Sequence, residues 1–197
     1  MSGRFAGVVL AAGHSRRFGP RKLSEVIGGA PIAGHVVSAA LEAGLSPLVI
    51  VCPKDDEVLQ GALQHIAPEA RVLSVENDAL SDSLRAGLYA LGGAKGAFVL
   101  LADMPFVDAA LLNWIAAGWD EEALAVAPAH EGRRGNPVLL SARAFALAEQ
   151  ISGDRGLGAL LDERAGEVRL VEAGPACVID IDARADLESA RASWGDG

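Results

Sequence analysis

Four cations stand close together in an otherwise acidic chain. Arg16, Arg17, Arg21 and Lys22 fall within seven consecutive positions, whereas the 197-residue sequence has a net charge of −9. They follow Gly13, in a loop that comes after the first apolar run. Such a loop is either a basic segment in solvent or a site for polyanionic phosphate, bound by guanidinium, ammonium and backbone N–H groups. The negative net charge argues against nucleic acid or an acidic membrane surface as the partner.

Three aspartates occupy comparable places in the chain. Asp103 follows the apolar run 97–102, and Asp180 and Asp182 lie in the run 177–182. In open α/β sheets, ligands bind beyond the carboxyl ends of the strands. The sequence therefore predicts that the cationic loop and these carboxylates meet at one edge of a sheet.

The segments that must position these groups alternate between strand-like and helix-like patterns. The continuous apolar run 5–12 is typical of a strand buried on both faces of a parallel sheet. Further strands are predicted at 48–52, 71–75, 97–102, 123–128, 168–171 and 177–182, with a turn feeding a strand at 132–140. Helices are predicted at 31–43, 54–66, 81–91, 108–117, 142–150, 153–164 and 184–193. The pattern predicts one three-layer α/β domain, residues 1–197, with a mostly parallel sheet.

The spacing of the candidate residues excludes several familiar sites. A Walker loop has four residues between its glycines and a Lys directly after the second, but here five residues separate Gly13 from Gly19, and Lys22 comes three residues later. Cys52 and Cys177 are far apart and the histidines are scattered, which disfavours a zinc site or a hydrolytic triad. The first apolar run of eight residues is far shorter than the ~20 residues of a membrane helix. A cytoplasmic protein is expected.

The loop resembles a nucleotidyltransferase signature, Leu-Ala-Ala-Gly-x-Ser-x-Arg-x-Gly-x-x-Lys. Its defined positions are matched at Leu10, Ala11, Ala12, Gly13, Ser15, Arg17, Gly19 and Lys22. Segments elsewhere in the chain are similar to those of the molybdenum cofactor cytidylyltransferases. These segments are 81–88 (Ser-Asp-Ser-Leu-Arg-Ala-Gly-Leu), 101–105 (Leu-Ala-Asp-Met-Pro), 135–138 (Gly-Asn-Pro-Val), 153–156 (Gly-Asp-Arg-Gly) and 179–187. The resemblance implies a single Rossmann-like nucleotidyltransferase domain.

The resemblance also implies a reaction, the Mg²⁺-dependent transfer of CMP from CTP to the phosphate of molybdopterin with release of pyrophosphate. It assigns catalysis to Arg17, Lys22 and Asp103. It assigns nucleotide binding to Leu10, Ala11, Ala12, Gly13, Arg17, Lys22, Ser81 and Ser83. It assigns the metal to Asp103 and Asp182, assisted by Asp180. Besides CTP and the phosphorylated acceptor, the implied partner is a molybdoenzyme or its chaperone.

Some of these residues also have a structural interpretation. Asp103 could begin the turn before Pro105. Asp182 could be the N-cap of the last helix, which would leave Asp180 as the second metal ligand. Ser81 and Ser83 could equally be helix caps.

The chain departs from the family pattern at a few positions. Ala102 replaces a Gly, Ala183 and Arg184 stand where Thr-Pro is common, and Asn136 replaces a frequent His in the part of the family used around the acceptor. The alternatives are therefore another phosphorylated acceptor, such as a methylerythritol phosphate, a sugar phosphate or a phospholactate, or a nucleotide-binding chaperone or sensor without turnover. Ala12 favours a cytidylyl enzyme, since the guanylyl relatives usually carry Gly there.

Overall fold

The chain folds as a sheet covered by helices on both faces. The computed structural model describes residues 5–12, 18, 21–76, 80–148, 151 and 156–194. Within them, the strands are β1 (Ala6–Leu10), β2 (Val26–Ile27), β3 (Ala30–Pro31), β4 (Leu48–Pro53), β5 (Arg71–Val75), β6 (Gly96–Leu101), β7 (Ala125–His130), β8 (Arg133–Arg134), β9 (Val138–Ser141) and β10 (Val168–Glu172). The helices are α1 (Ile32–Glu42), α2 (Glu57–Ile66), α3 (Leu80–Ala90), α4 (Ala109–Ala117), α5 (Ala142–Ala148), α6 (Leu157–Glu163) and α7 (Arg184–Trp194).

The main sheet has the strand order β10-β7-β9-β6-β1-β4-β5, with β8 paired to β7. The pairs β5–β4, β4–β1, β1–β6 and β7–β10 are parallel, whereas β9 is antiparallel to both of its neighbours. All strands of this order except β9 therefore run in one direction. Since β1 and β6 are neighbours in this direction, the signature loop and Asp103 leave the sheet at the same edge.

Two apolar clusters hold the layers together. Side chains of β1 alternate between the two faces: Val9 belongs to a cluster with residues of α1, α2, α4 and α7, and Val8 belongs to a cluster with residues of α3, α5 and α6. Strands buried on both faces explain the continuous apolar runs in the sequence. The three-layer, mostly parallel architecture confirms the predicted fold class.

Trp194, at the C-terminal end of α7, makes aromatic contacts with residues from two other parts of the chain. The ring of Trp194 lies 4.3 Å from that of His35 and 5.4 Å from that of Phe106. Gly28 in the β2–β3 turn has a φ of +54°, and a Cβ there would lie 2.1 Å from Nε1 of Trp194. Only glycine therefore fits this approach, which fixes the helix that follows Asp182.

The predicted strand at 177–182 is wrong. Residues Pro175–Val178 form a 3₁₀ turn, Ile179 is extended, and residues 179–182 belong to no strand. Pro175 favours a turn start, and the backbone bond from Ile181 N to Asp103 O (2.9 Å) replaces a ladder of strand bonds. Asp180 and Asp182 therefore lie in a segment without regular structure rather than on a strand.

Candidate nucleotide and metal site

Lys22 lies at the centre of a charged cluster. It begins a 3₁₀ turn, Lys22–Ser24, directly after Arg21, whose φ of 66° is left-handed. The Lys22 side chain is 6% exposed, and its Nζ lies 2.9 Å from Oδ2 of Asp103 and 3.5 Å from Oδ1 of Asp182. A lysine this deeply buried requires paired charges, which argues against a solvated basic loop at this position.

Asp103 follows β6 in a turn that closes through the backbone. Met104 N donates to Leu101 O at 3.3 Å, and Ala102 N donates to Leu10 O at 3.1 Å. The Asp103 carboxylate instead contacts the ammonium group of Lys22. The N-cap of α4 is Asp108, whose Oδ1 accepts from Leu111 N at 2.8 Å. The carboxylate of Asp103 is thus directed to the cluster rather than to the turn.

Asp182 precedes α7, and Asp186 in the first turn of that helix accepts hydrogen bonds from the two backbone amides just before it. Oδ2 of Asp186 accepts from Asp182 N at 2.9 Å and from Ala183 N at 2.6 Å. Asp186 bonds these amides, and the side chain of Asp182 contacts Lys22 instead. The structure therefore favours Asp182 as a member of the charged cluster over Asp182 as a helix cap.

Asp180 shares the electrostatic field of the cluster. Partial burial, followed by repulsion from Asp182 and Asp103, raises the pKa of the Asp180 carboxyl above its ordinary value, although Lys22 acts in the opposite sense. Three carboxylates thus lie near one ammonium group. Excess negative charge of this kind is relieved by a bound cation.

The donor atoms fit a hard divalent cation that is completed by substrate. Carboxylate oxygens suit Mg²⁺, which is usually held by one or two protein carboxylates together with phosphate oxygens and water. In the part of the chain that the structure describes, no group of three or more His, Cys, Asp or Glu side chains is arranged to enclose a metal by itself. The predicted ligands Asp103 and Asp182, or Asp180, would therefore need phosphate oxygens to complete the coordination of a metal. The assignment of the metal ligands stays a prediction.

The end of β1 forms a buried platform beside this cluster. Leu10, Ala11 and Ala12 are 7%, 1% and 2% exposed, and Ala11 N donates to Val51 O at 2.8 Å. Leu10 and Ala12 belong to the same apolar cluster as Leu84 of α3. The predicted nucleotide-binding residues Gly13 and Arg17 lie outside the described residues, as do 153–155.

The two predicted serines lie in the first turns of α3 and are buried, Ser81 at 1% and Ser83 at 0% exposure. Oγ of Ser81 has no hydrogen-bond partner among the described residues. A buried hydroxyl without a partner costs free energy unless a ligand or water satisfies it. Among the described residues Ser81 therefore does not act as a helix cap, and its role in nucleotide binding stays a prediction.

A cavity of about 160 Å³ adjoins the platform. Its lining is mostly apolar or glycine, with a polar wall at the connection between β8 and β9. The lining residues are Leu10, Leu80, Leu84, Val99, Leu101, Arg134, Gly135, Asn136, Val138, Gly156, Leu157, Gly158 and Leu161. The sequence had pointed to Asn136 through its motif, but not to Arg134. The signal for Arg134 was its place directly before the Gly-Asn-Pro turn.

The polar wall and the charged cluster are linked through the backbone. Asn136 N donates to Cys177 O at 2.8 Å, and Gly135 approaches so closely that a Cβ there would lie 2.2 Å from the same oxygen. Cys177 precedes Asp180 by three residues. This close contact thus determines the position of the cavity wall relative to the segment that carries Asp180 and Asp182.

Comparison with known proteins places this geometry in a family context. A family model described as the MobA-like NTP transferase domain matches residues 7–168. The purine catabolism protein PucB of Bacillus subtilis is 32% identical over 79% of this chain and 79% of its own length. A probable molybdenum cofactor guanylyltransferase of Thermococcus sibiricus is 32% identical over 58% of this chain and 56% of its own length.

The chain is also similar to a module of longer proteins. The bifunctional protein GlmU of Clavibacter sepedonicus is 33% identical over 70% of this chain, which spans only 27% of that relative. The bifunctional enzyme IspD/IspF of Rhizobium leguminosarum is 32% identical over 62% of this chain, or 32% of its own length. The chain thus spans about a quarter to a third of these two relatives.

Solved structures share the whole architecture. A homologue of Mycobacterium tuberculosis Rv0371c from Mycobacterium sp. strain JC1 superposes with a TM-score of 0.87 at 24% identity, covering 98% of both chains. The manganese complex of Rv0371c itself superposes with a TM-score of 0.81 at 25% identity, covering 96% of this chain and 99% of that one.

Proposed function

Because the chain belongs to the MobA-like NTP transferase domain family, we propose that it transfers CMP from CTP to the phosphate of molybdopterin and releases pyrophosphate. Membership confirms the expected class of enzyme, a nucleotidyltransferase. The observation that carries the proposal is the buried Lys22 ammonium between the carboxylates of Asp103 and Asp182, at the edge where β1 and β6 end. This cluster combines the charges needed to align two anionic substrates.

The proposed mechanism follows from the negative charges of the two substrates. An oxygen of the acceptor phosphate forms a bond to the α-phosphorus of the NTP, the bond to the β-phosphate breaks, and pyrophosphate leaves. Since both reactants are anionic, catalysis depends mainly on alignment and neutralisation of charge. Lys22 has three N–H donors. Two are directed to its carboxylate partners, and we assign the third to an oxygen of the α-phosphate.

The metal belongs to the same site. Asp103 and Asp182, with Asp180 as the alternative second ligand, would hold Mg²⁺, which supplies a Lewis acid and a template for the phosphates when bound. The manganese complex of Rv0371c supports a divalent metal in this fold. Arg17, which is part of the signature, is assigned to the β- and γ-phosphates, because a guanidinium suits bidentate contact with phosphate.

The base is assigned to the platform of Leu10, Ala11 and Ala12, together with Ser81 and Ser83 of α3. Ala12 supports CTP, since a methyl group narrows the site relative to the Gly that is usual in guanylyl relatives. A difference of one carbon is worth roughly 10–200-fold in discrimination. GTP is the second candidate donor, because the Thermococcus relative is named as a guanylyltransferase.

The test measures pyrophosphate release with each NTP, Mg²⁺ or Mn²⁺, and a panel of acceptors. The panel contains molybdopterin, methylerythritol phosphate, a sugar 1-phosphate and phospholactate, and mass spectrometry identifies the product. We expect repeated turnover with CTP and molybdopterin, arrest by EDTA, and a smaller preference for CTP over GTP in Ala12→Gly. Turnover only with another acceptor refutes the molybdopterin assignment. Saturable NTP binding without turnover on any acceptor favours a chaperone or sensor.

A further inference from the structure

The polar wall of the cavity contains a cation that the proposed reaction has not used. Arg134 lies on β8, lines the cavity, and has a side chain that is 21% exposed. Its Nη2 donates to Gly158 O at 3.0 Å and to Oδ1 of Asp162 at 2.7 Å. The interaction reaches from β8 across to α6, so the guanidinium plane is fixed at the wall.

Most of the hydrogen-bonding capacity of Arg134 is still available. A guanidinium has five N–H donors, of which two are on Nη2. Among the described residues, Nε and Nη1 make no hydrogen bond. Three donors therefore remain on a side chain that is 21% exposed and lines the cavity, and unused guanidinium donors at a cavity wall favour an acceptor-rich ligand.

The charge of Arg134 is also poorly neutralised. Its carboxylate partner Asp162 is 74% exposed, so the ion pair is screened by solvent and weak. The other walls of the cavity present apolar side chains such as Leu84, Leu101 and Leu161. Low-polarity walls strengthen the attraction of a fixed cation for an anion.

We propose that Arg134 binds an anionic group of the acceptor, a phosphate or a carboxylate, whose apolar body lies against the leucine walls of the cavity. This inference rests on the proposed function for the identity of the cavity as the acceptor site. It goes beyond that function by naming the residue that selects anionic over neutral acceptors. Asn136, on the same wall, offers a neutral amide and cannot supply the charge.

The alternative role for Arg134 is that of a brace between β8 and α6. The two roles predict different results for its partner Asp162. A brace depends on the ion pair, so Asp162→Asn would imitate the loss of Arg134. An anion-binding residue competes with its own carboxylate partner, so Asp162→Asn would leave anion binding equal or stronger.

The experiment measures binding of phenyl phosphate and of benzyl alcohol by ligand-observed NMR, without added metal. The two probes share the ring but differ in charge. We expect wild type to bind phenyl phosphate better, and Arg134→Gln to weaken phenyl phosphate at least ~10-fold while benzyl alcohol is unchanged, as for loss of one charge-assisted contact. Arg134→Lys should recover part of the preference, and Asp162→Asn should keep all of it.

Two controls keep the inference separate from the proposed function. Arg143→Gln should retain the preference for phenyl phosphate, because Arg143 is paired with Glu167 at 3.2 Å and does not line the cavity. A preference that is absent in wild type, lost in Arg143→Gln, or equally lost in Asp162→Asn overturns the role of Arg134. CTP turnover, measured in parallel, reports on the nucleotidyl transfer itself. Its failure with an intact phenyl phosphate preference would refute the transfer reaction and leave the anion site standing.

Discussion

At the residue scale, the positive charge of Lys22 has opposite effects on the binding of phosphates and on the binding of a metal ion. The ammonium group neutralises Asp103 and Asp182, from which its Nζ lies at 2.9 and 3.5 Å. The same positive charge repels any divalent cation that those carboxylates bind. Under the proposed function, Lys22 therefore favours phosphate binding but opposes metal binding.

This opposition gives a prediction for Lys22→Met, which keeps most of the length of the side chain and removes its charge. Turnover should fall at least ~10²-fold, since stabilisation of the α-phosphate is lost. Binding of Mn²⁺ without nucleotide should become tighter, since the carboxylates lose their internal counter-charge. Steady-state kinetics and Mn²⁺ titration by electron paramagnetic resonance measure both effects. Weaker Mn²⁺ binding in the variant would argue against the carboxylates as the metal site.

The residues of the site differ in how far the sequence could predict them. Lys22 and Asp103 stood in motifs and came together as expected. The sequence alone did not show whether Asp182 caps the last helix, because Asp182 lies just before that helix and Asp186 lies in its first turn. The structure separates them by geometry, since the backbone amides donate to Asp186. Arg134 was missed because its importance comes from α6, which lies far away in the chain.

At the element scale, the contact between Gly135 and Cys177 joins the cavity wall to the segment before α7. Gly135→Ala would place a Cβ 2.2 Å from the Cys177 carbonyl oxygen, so one of the two segments must move. We expect a loss of about 1–3 kcal/mol in the free energy of unfolding and a fall in kcat, because Asp180 and Asp182 follow the displaced segment. Thermal denaturation and steady-state kinetics measure the two effects.

Gly174 supplies the matched control. It lies next to the same 3₁₀ turn, its φ of −73° suits any residue, and a Cβ there meets nothing within 4 Å. Gly174→Ala should change stability by less than about 0.5 kcal/mol and leave kcat unchanged. Equal effects of the two substitutions would show that the close approach of Gly135 does not position the carboxylates.

Cys52, a buried thiol in β4, makes the stability of the fold depend on pH. Burial, reinforced by the charge of Asp56, raises the pKa of Cys52 from 9.0 to about 12. The unfolded chain therefore releases this proton near pH 9 while the folded chain keeps it, and stability falls as the pH rises through that interval. At pH 10 the loss from this thiol should be about 1 kcal/mol.

Urea denaturation of wild type and Cys52→Ala at pH 8 and pH 10 measures this contribution. The variant should be less stable at both pH values, because a core side chain is shortened, but its stability should fall less between them. The thiol should also resist alkylation at pH 8 until the protein is unfolded. An identical pH dependence in the two proteins would show that Cys52 does not titrate differently on folding.

The elements were predictable where one face or both faces of a long segment are buried. The runs of β1, β4 and β6 are apolar throughout because both faces are covered, and their bounds agree with the prediction within a few residues. The direction of β9 was not encoded in its own residues, since an antiparallel central strand has the same apolar run. The hairpin of β2 and β3 was missed because two-residue strands have no periodicity, and the run at 177–182 is apolar without being a strand.

At the scale of the whole molecule, the described residues form one main sheet, a separate β2–β3 hairpin and two apolar cores. None of the described helices has both the length and the apolar character needed to span a bilayer. The charged cluster is built from three segments that are far apart in sequence, around Lys22, Asp103 and Asp182. Ligands that bridge these segments should therefore stabilise the fold as a unit.

The corresponding prediction concerns thermal unfolding with nucleotide and metal. A ligand at 100 times its Kd stabilises the folded state by about 2.7 kcal/mol, and each kcal/mol raises the Tm of a domain of this size by about 2–4 °C. CTP with Mg²⁺ at such concentrations should raise the Tm by about 5–10 °C. EDTA should remove the part of that increase that depends on the metal.

Asp103→Asn tests the origin of the increase. It retains the size of the side chain but removes a charge from the cluster, so its turnover should fall at least ~10²-fold with the loss of a metal ligand. Without ligands the variant should remain folded, because Lys22 keeps Asp182 as a partner at 3.5 Å. With CTP, the metal-dependent part of the Tm increase should disappear, whereas any part that CTP gives in EDTA should remain. A full metal-dependent increase in Asp103→Asn would place the cation elsewhere, and a variant that is unfolded without ligands would identify Asp103 as a structural residue.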